Sequence, residues 1–379
     1  MKKILIGAIG LLALASCSQN ETLEVNNDGN EILFGVSTEN ATRAAELFTS
    51  TNLPQDFVVY ASYSGSGSYK FMNAVNVLKG TSVWETQGKT YYWPTGSDSK
   101  PIYFTAVKNA GENVSFNALE SSNLVKSTGF TVEDNVNAQV DFIYATANST
   151  KTSSPVPLTF KHALSQVVFK AKNNSKNIDV AIDAVKVCYL NSKGDFSITN
   201  AQTPSTKWDN LDVRKQYEVT FPEVDLPHIT GDVTEGEVKN LTFADVKEKN
   251  NSTALLMIPQ KIDDACTTTN AKEVMDGTAD GFYFLVKCRF YDSSNNTYLW
   301  TNPVGDEGID YQTKYVAIPA TINWQAGMRY VYTFVFGDGM NGGYVPGTED
   351  PVLLPITFTV SVEDFVDENK DVNLNTTQN

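Results

Sequence analysis

The stretch FYFLVKCRF at residues 282–290 has an apolar side chain at every second position. Successive side chains of a β-strand point to opposite faces, so this alternation predicts a strand with one apolar face. That face consists of Phe282, Phe284, Val286, Cys288 and Phe290. The stretch YVYTFVF at 330–336 repeats the pattern with an aromatic residue at every second position. Both stretches indicate strands that turn one face towards a core.

The rest of the chain has the same character. Short β-branched and aromatic runs, for example 57–61, 102–107 and 140–145, are separated by clusters of Gly, Ser, Asn and Pro. No segment keeps helical spacing over three turns, and only 240–249 could form a short helix. Runs of this length with such turns are typical of antiparallel sandwiches. The predicted class is all-β, with two β-sandwich domains in series.

Length and a turn-rich segment suggest where the two domains meet. The chain has 379 residues, more than one domain of ~100–150 residues needs. Residues 148–157 contain two prolines and no apolar cluster, which is typical of a junction. We predict an N-terminal domain at 31–152, a linker at 153–157 and a C-terminal domain at 158–379.

The acidic composition limits the kinds of partner. The chain has 44 acidic and 29 basic residues, a formal net charge of −15, and no basic block. Nucleic-acid backbones are bound by clustered Lys and Arg side chains, so no nucleic-acid partner is expected. Only two histidines occur. Because histidine is the usual general base and metal ligand near neutral pH, much enzyme chemistry is less expected.

The N-terminus has the pattern of an exported lipoprotein. Two lysines precede an apolar run at 4–14, which is shorter than the roughly 20 residues of a membrane-spanning helix. The sequence LASC at 14–17 resembles the bacterial lipobox; an ordinary signal peptide that ends near a Cys is the alternative. We predict a lipoprotein signal peptide at 1–16, palmitate-type acylation of Cys17 that anchors the chain in the outer membrane, and a polar tether at 17–30.

Candidates for catalytic chemistry are isolated residues. His162 lies in a strand-like run and His228 in a loop beside a proline, and no second histidine is near either of them. The carboxylate pairs at 263–264 and 363–364 are expected on a solvated surface of so acidic a chain. No GxSxG, HExxH, P-loop or EF-hand motif occurs. We therefore expect no enzyme, no cofactor and no metal site; a calcium ion in the Asp- and Asn-containing loop 338–341 is the alternative.

Aromatic and sulfur residues leave two further questions open. The tryptophans either anchor the core or stack on sugar rings at the surface, and the second reading would make the protein a glycan-binding surface lipoprotein. They are Trp84, Trp93, Trp208, Trp300 and Trp324. An exported protein can form disulfides, but three cysteines besides Cys17 cannot all pair, and the sequence does not select a pair. They are Cys188, Cys266 and Cys288.

An ordered set of short motifs resembles one family over nearly the whole chain. The motifs are IxFxV at 32–36, TRA at 42–44, YWP at 92–94, IYFTA at 102–106, DFIYA at 141–145, LTFKHAL at 158–164, GMRYVY at 327–332 and EDF at 363–365. Together with the lipobox they resemble the fimbrillin family, the Mfa-like or type V pilin subunits of Bacteroidetes-type bacteria. The resemblance implies a lipoprotein with two transthyretin-like β-sandwich domains.

The resemblance also implies how such a chain assembles. An Arg-specific protease would cut between Arg43 and Ala44, which releases the lipid and the first strand at 31–37. Loss of the strand residues Ile32, Phe34 and Val36 would open an apolar groove. A strand of another subunit would fill that groove and satisfy its backbone groups.

The incoming strand is expected from a C-terminal segment. Residues 356–362 alternate between apolar and polar side chains, as a donor strand or simply the last strand of its own domain would. The apolar positions of this candidate are Ile356, Phe358, Val360 and Val362. The segment DVNL at 371–374 is a shorter candidate.

The expected function is that of a fimbrial subunit for cell adhesion. Its expected partners are other fimbrial subunits, the outer membrane through the lipid on Cys17, and receptors on host or bacterial surfaces. We expect the protein at the outer membrane, and in the fimbrium after processing. The alternatives are an uncleaved anchor or accessory subunit and the glycan-binding lipoprotein. Stalk, anchor and tip roles are not distinguished by the sequence.

Overall fold

The computed structural model describes most of the chain and is nearly all β-structure, so the predicted all-β class is confirmed. The described residues are 31–38, 53–63, 69–95, 97, 99–119, 121–242, 254–303, 309–311, 314–338, 342–346 and 354–364. Helical structure within them comprises a 3₁₀ turn at Val136–Ala138 and the helix α1 at Ala271–Asp276. Across these ranges, no helix has the length and apolar character needed to cross a membrane.

The strands follow one another along the chain with short connections. The first nine are β1 (Phe34–Thr38), β2 (Asp56–Tyr63), β3 (Tyr69–Lys79), β4 (Trp84–Thr86), β5 (Ile102–Lys108), β6 (Val114–Leu119), β7 (Ser122–Thr131), β8 (Ile143–Ser149) and β9 (Val156–His162). The others are β10 (Ser165–Asn173), β11 (Ile178–Asn200), β12 (Ser205–Leu226), β13 (Lys239–Asn240), β14 (Leu255–Met257), β15 (Lys261–Ile262), β16 (Tyr283–Asp292), β17 (Thr297–Tyr298), β18 (Thr301–Pro303), β19 (Ile309–Tyr311), β20 (Lys314–Pro319), β21 (Ile322–Asn323), β22 (Met328–Phe336) and β23 (Ile356–Asp364). The short helix considered at 240–249 is wrong at its start, because Asn240 pairs with Lys170 as part of β13; residues 243–249 lie outside the described ranges.

The N-terminal part of the chain forms a barrel. Seven strands close on themselves in the order β1-β4-β3-β2-β5-β8-β9. Inward positions alternate with exposed ones, as β9 shows with buried Val156, Leu158 and Phe160 separated by exposed residues. The sequence predicts an antiparallel β-sandwich for this part. The structure differs because β1 pairs with both β4 and β9, which closes the sheet and leaves neither of those two strands with a free edge at this point.

The remaining strands form a sandwich of two packed sheets. A five-stranded sheet has the order β13-β10-β22-β23 with β14 on β10, and a seven-stranded sheet has the order β17-β16-β11-β7-β6 with β12 on β11 and β20 on β16. The ring of Phe284 in β16 lies 4.8 Å from that of Tyr332 and 5.6 Å from that of Phe334, both in β22. The apolar faces predicted at 282–290 and 330–336 therefore meet in one core, which confirms that prediction. Two small pairs, β15–β21 and β18–β19, complete the architecture.

Side-chain amides join the barrel to the sandwich. Asn200, at the end of β11, donates from Nδ2 to the carbonyl oxygens of Phe104 at 2.6 Å and Ala147 at 3.1 Å, which belong to barrel strands. Asn123 in β7 donates to the carbonyl oxygen of Tyr103 at 2.7 Å. Because both amides are fully buried, these bonds satisfy polar groups that water cannot reach.

Sheet pairing crosses the predicted domain border in both directions. The strand β9 begins within the predicted linker, at Val156, and continues past it, but pairs with β1 and β8 in the barrel. The hairpin β6–β7 lies before the linker but pairs with β11 in the seven-stranded sheet. Strands from both sides of residues 153–157 thus pair within the barrel and within the seven-stranded sheet. The border at 153–157 itself stays a prediction.

A buried carboxylate holds the β11–β12 hairpin against β7. Asp195 accepts hydrogen bonds from Asn210 Nδ2 at 2.8 Å and from the Gly129 backbone N–H at 2.8 Å, and Lys126 Nζ lies 3.0 Å from its Oδ2. The hydrogen bonds from Asn210, Lys126 and Gly129 lower the pKa of Asp195 to about 2. Its charged form is thus stabilised by the native fold.

We expect Asp195→Asn to lower the free energy of unfolding by roughly 2 kcal/mol near neutral pH. The folded pKa lies below the unfolded one, so the contribution is present above about pH 4 and is lost as the pH falls towards 2. The difference in unfolding free energy between the wild type and the variant should therefore decrease over that acidic range, as measured by urea unfolding curves. Asp212→Asn, an exposed position on β12, is the control. Equal deficits at neutral and acidic pH would contradict this role.

We expect Phe34→Ala to lower the free energy of unfolding of the uncut chain by about 3–5 kcal/mol, because it empties a position at the centre of the barrel. Val360→Ala, at a side chain that is 40% exposed, should cost less than about 1 kcal/mol and serves as the control. Denaturant unfolding measures both. A loss of under about 1 kcal/mol for Phe34→Ala would show that β1 contributes little to the barrel.

Candidate functional site

The first strand closes the barrel by bonding to two neighbours. It runs parallel to β9 with the register Phe34↔Val156 to Thr38↔Phe160, and it meets β4 at Phe34↔Trp84. Just before the strand, the N–H of Ile32 donates to the carbonyl oxygen of Tyr91 at 2.8 Å. The parallel partner is far away along the chain, so the pairing with β9 could not be read from local sequence.

The apolar side chains of this segment fill the barrel interior. Ile32 and Phe34 are fully buried, and Val36 packs against the same core with part of its surface exposed. The ring of Phe34 lies 5.7 Å from that of Phe104 and 6.2 Å from that of Phe57, both edge to face. The predicted first strand is thus a core element of the barrel as well as its closing strand.

The last described strand, β23, borders the five-stranded sheet. It pairs antiparallel with β22 from Phe336↔Ile356 to Met328↔Asp364. Its inward side chains differ in exposure: Ile356 is fully buried, Phe358 and Val362 are partly buried against the core, and Val360 is 40% exposed. β23 is therefore the last strand of its own sheet in this structure, with an inner face that its own core covers only in part.

Several predicted site residues lie outside the described ranges. These are the acylation residue Cys17, the cleavage residues Arg43 and Ala44, and the segment 371–374. The calcium candidate 338–341 is described only at Asp338. Within the described ranges, no group of three or more His, Cys, Asp or Glu side chains is arranged to hold a metal ion.

His162 lies in a buried pair with a carboxylate. Its Nδ1 is 2.8 Å from Asp141 Oδ2, and both side chains are almost completely buried. Asp141 also holds the chain at the end of β5, because its carbonyl oxygen accepts a bond from Asn109 Nδ2 at 2.8 Å. The pair therefore links β9 to the segment before β8, a structural role.

His228 forms a small cluster with a carboxylate and a hydroxyl. Asp179 Oδ1 accepts from His228 Nδ1 at 2.7 Å and from the His228 backbone at 2.8 Å, and Ser293 Oγ donates to Asp179 Oδ2 at 2.9 Å. Partial burial raises the pKa of Asp179, but these hydrogen bonds outweigh burial and hold the pKa below its ordinary value. Ser293 faces Nδ1 of His228, the atom that faces Asp179. A catalytic triad needs the serine on Nε2, so this cluster is not one.

Beside this cluster is a cleft that the sequence reasoning missed. It lies on the outer face of the seven-stranded sheet and has a volume of about 300 Å³. We name it the Ala181 cleft, after the small residue at its centre. It is lined by Asp179, Val180, Ala181, Asp225, Leu226, Pro227, Arg289, Tyr291 and Tyr298. Polar residues at every second position of β11 and β16 indicated that one face of these strands points outwards. No local pattern shows that the side chains on this face surround a small residue.

The sequence profile of the fimbrillin-like family matches residues 42–364. The chain belongs to the fimbrillin-like family. This is a family of structural fimbrial subunits rather than of enzymes. The matched region begins after β1, at the residue before the predicted cleavage residue Arg43, and ends with β23.

Solved structures that match the chain come from Bacteroides, Parabacteroides and Porphyromonas species. One is described as a candidate cell adhesion protein of Bacteroides uniformis ATCC 8492 (13% identity, TM-score 0.42, covering 90% of this chain and 100% of that one). Another is the fimbrial anchor protein Mfa2 from Porphyromonas gingivalis (10% identity, TM-score 0.31, 88% and 97% covered). A third is the tip fimbrial protein Mfa3 from the same organism, truncated at its C-terminus (10% identity, TM-score 0.33, 87% and 99% covered). No curated protein sequence matches the chain.

The tryptophans of this fimbrillin-like chain serve mainly as anchors. Trp84, Trp93 and Trp324 are buried, and the indole N–H groups of the first and last donate to Pro54 O at 2.8 Å and Tyr332 Oη at 3.0 Å. Core anchoring is confirmed for these three residues. Trp208 and Trp300 are partly buried, and they pack against Phe196 and Phe290. In the described part of the chain, the tryptophans therefore form no exposed flat platform for a sugar.

The cysteines and paired carboxylates have ordinary environments. Cys188, Cys266 and Cys288 are free and buried, and burial raises the pKa of Cys188 to about 12 and also raises that of Cys288. Asp263 and Asp264 are exposed, and Asp263 pairs with Lys261 at 2.9 Å. The exposure of Asp263 and Asp264 agrees with the solvated surface that the sequence predicts for this pair.

Proposed function

We propose that this fimbrillin-like chain is a fimbrial subunit that is exported as a lipoprotein and polymerises by strand exchange. In this proposal Cys17 carries the lipid, cleavage after Arg43 removes the first strand, and a strand of another subunit replaces it. One observation carries the proposal: the strand before the predicted cut, β1, both closes the barrel and fills its core.

The physical consequence of losing β1 follows from its contacts. Removal of the strand would leave the backbone groups of β9 without partners along the register from Val156 to Phe160. It would also empty the interior positions of Ile32 and Phe34, both fully buried. An apolar groove with unpaired backbone groups is the kind of site that an added β-strand fills. The start of the family match at residue 42 agrees with a separate fate for the segment before it.

The donor in this proposal is the segment 356–362, with 371–374 as the shorter candidate. Its alternating side chains would enter the positions that β1 vacates. The pairing of β23 with β22 competes with this role, because a donated strand must leave its own sheet or offer only its less covered end. The greater exposure of Val360 makes that end the better candidate.

The proposal includes the wider organisation of the protein. The partners would be other fimbrial subunits and receptors on host or bacterial surfaces, and the lipid would hold the uncut chain at the outer membrane. An uncut chain would serve as an anchor or accessory subunit. We also propose that the barrel and the sandwich correspond to the two transthyretin-like domains that the family resemblance implies. Pairing across the border predicted near 153–157 would then assign β9 to the barrel and the hairpin β6–β7 to the sandwich.

We expect Arg43→Ala to leave a full-length lipidated chain and to abolish polymer ladders, because the first strand then stays in its groove. Immunoblots of unheated cell fractions and N-terminal sequencing measure this: wild-type chains should begin at Ala44, variant chains at Cys17. Arg214→Ala, at an exposed arginine on β12, is the matched control and should polymerise normally. Ladders that persist in Arg43→Ala would refute polymerisation by this cleavage.

We expect Val360→Asp to block polymerisation while the monomer stays folded. In the monomer this side chain is 40% exposed, but in a donated strand it would be buried, where an unpaired carboxylate costs several kcal/mol. Thr359→Asp, on the exposed opposite face of β23, is the control and should polymerise. Thermal melting confirms that both monomers fold. Normal ladders from folded Val360→Asp chains would exclude residues 356–362 as the donor.

A further inference from the structure

We infer that the Ala181 cleft binds a neutral sugar, as the terminal ring of a glycan. The inference concerns what the protein adheres to and does not rest on the strand-exchange proposal. The cleft is on the outer face of the seven-stranded sheet, whereas β1 belongs to the barrel and β23 to the five-stranded sheet. Binding at the cleft would therefore use neither of the strands proposed for assembly.

The register of three strands explains why a cleft exists here. One row across the sheet consists of Asp225, Ala181 and Arg289, which are direct neighbours on β12, β11 and β16. The adjacent row, Leu226, Val180 and Phe290, points into the core. Because side chains alternate between faces, the first row points outwards. The methyl group of Ala181 lies between the larger polar side chains of Asp225 and Arg289 and leaves a gap.

The next outward row provides aromatic walls. Asp179 pairs with Tyr291 across β11 and β16, and Tyr291 pairs with Tyr298 across β16 and β17. The two tyrosine rings lie 5.1 Å apart at an angle of 62°. Neighbouring strands are roughly 4.8 Å apart, so Asp225 and Arg289 face each other across roughly 10 Å between their Cα atoms. That gap, next to aromatic rings, suits one sugar ring with its hydroxyl groups.

The polar groups of the cleft select the class of ligand. The side chain of Asp225 is exposed and forms no ion pair or hydrogen bond with any residue that the structure describes, so its carboxylate can accept hydrogen bonds from a ligand. Arg289 is held by an ion pair with Glu223, and a guanidinium has several N–H donors. A cationic ligand would meet Arg289, and an anionic ligand would meet Asp225 and Asp179. A sugar is neutral, its hydroxyls both donate and accept, and its C–H face can pack on a tyrosine ring.

Bonds to neighbouring residues hold two polar groups of the cleft in place. Asp179 is fixed by its bonds to His228 and Ser293, and Arg289 by Glu223. Most of the lining residues lie on paired strands rather than in loops. A site whose groups are held in place before binding loses less conformational entropy when it binds.

An array of immobilised glycans tests the inference with the uncut chain that begins at Cys17. The neutral probes end in glucose, galactose, mannose or N-acetylglucosamine, and sialylated and sulfated glycans provide an acidic comparison. We expect binding to one or more neutral probes and competition by the matching free sugar. A blank array, or binding to acidic glycans alone, would overturn the inference.

Two variants assign the binding to the cleft. Ala181→Leu fills the gap and should abolish binding, and Asp225→Asn should weaken it about tenfold because a charged acceptor is lost. Asp212→Asn removes a carboxylate elsewhere on β12 and should bind as the wild type does. Melting curves check that each variant folds; should Ala181→Leu not fold, Asp225→Asn decides alone. Neutral-glycan binding that is unchanged in a folded Ala181→Leu or in Asp225→Asn would overturn the assignment to this cleft.

Discussion

The barrel depends on the insertion of one short strand between two others. β1 supplies the parallel partner of β9, and Phe34 places its ring among the rings of Phe57 and Phe104. Backbone pairing and core packing therefore come from the same few residues. In a soluble protein an unpaired strand beside an open apolar interior is unfavourable, so either β1 or an equivalent strand has to occupy this position. This constraint links the stability of the subunit to the assembly that we propose for it.

The core of the sandwich does not include β1. This core lies between the five-stranded and seven-stranded sheets and includes the packed rings of Phe284, Tyr332 and Phe334. The barrel is joined to it by the buried amides of Asn200 and Asn123, which donate to carbonyl oxygens of barrel strands. A barrel that exchanges its closing strand would thus remain attached to a core that does not contain that strand. The Ala181 cleft lies on the seven-stranded sheet of the sandwich. The proposed sugar site is therefore separate from β1 and β23, the strands proposed for assembly.

The sequence predicted much of the architecture and part of the site. Alternation at 282–290 and 330–336 was enough to identify strands with one buried face, because the period of two is a local property. The same reasoning identified Ile32, Phe34 and Val36 as the face of a first strand. It could not show that β9, more than a hundred residues away, would be the partner of that strand, because parallel pairing leaves no local signal. For the same reason the sequence could not predict a closed barrel where it predicts a sandwich.

Residue types and their order thus determined the all-β class, the membership of the fimbrillin-like family and the motifs on which export and cleavage are predicted. Only the tertiary structure decided which faces meet, which strand closes the barrel and where Asp225, Ala181 and Arg289 lie side by side. The physical reason is that a strand specifies its own two faces through local geometry. Its neighbours are selected by long-range packing and by the need to pair every buried backbone group.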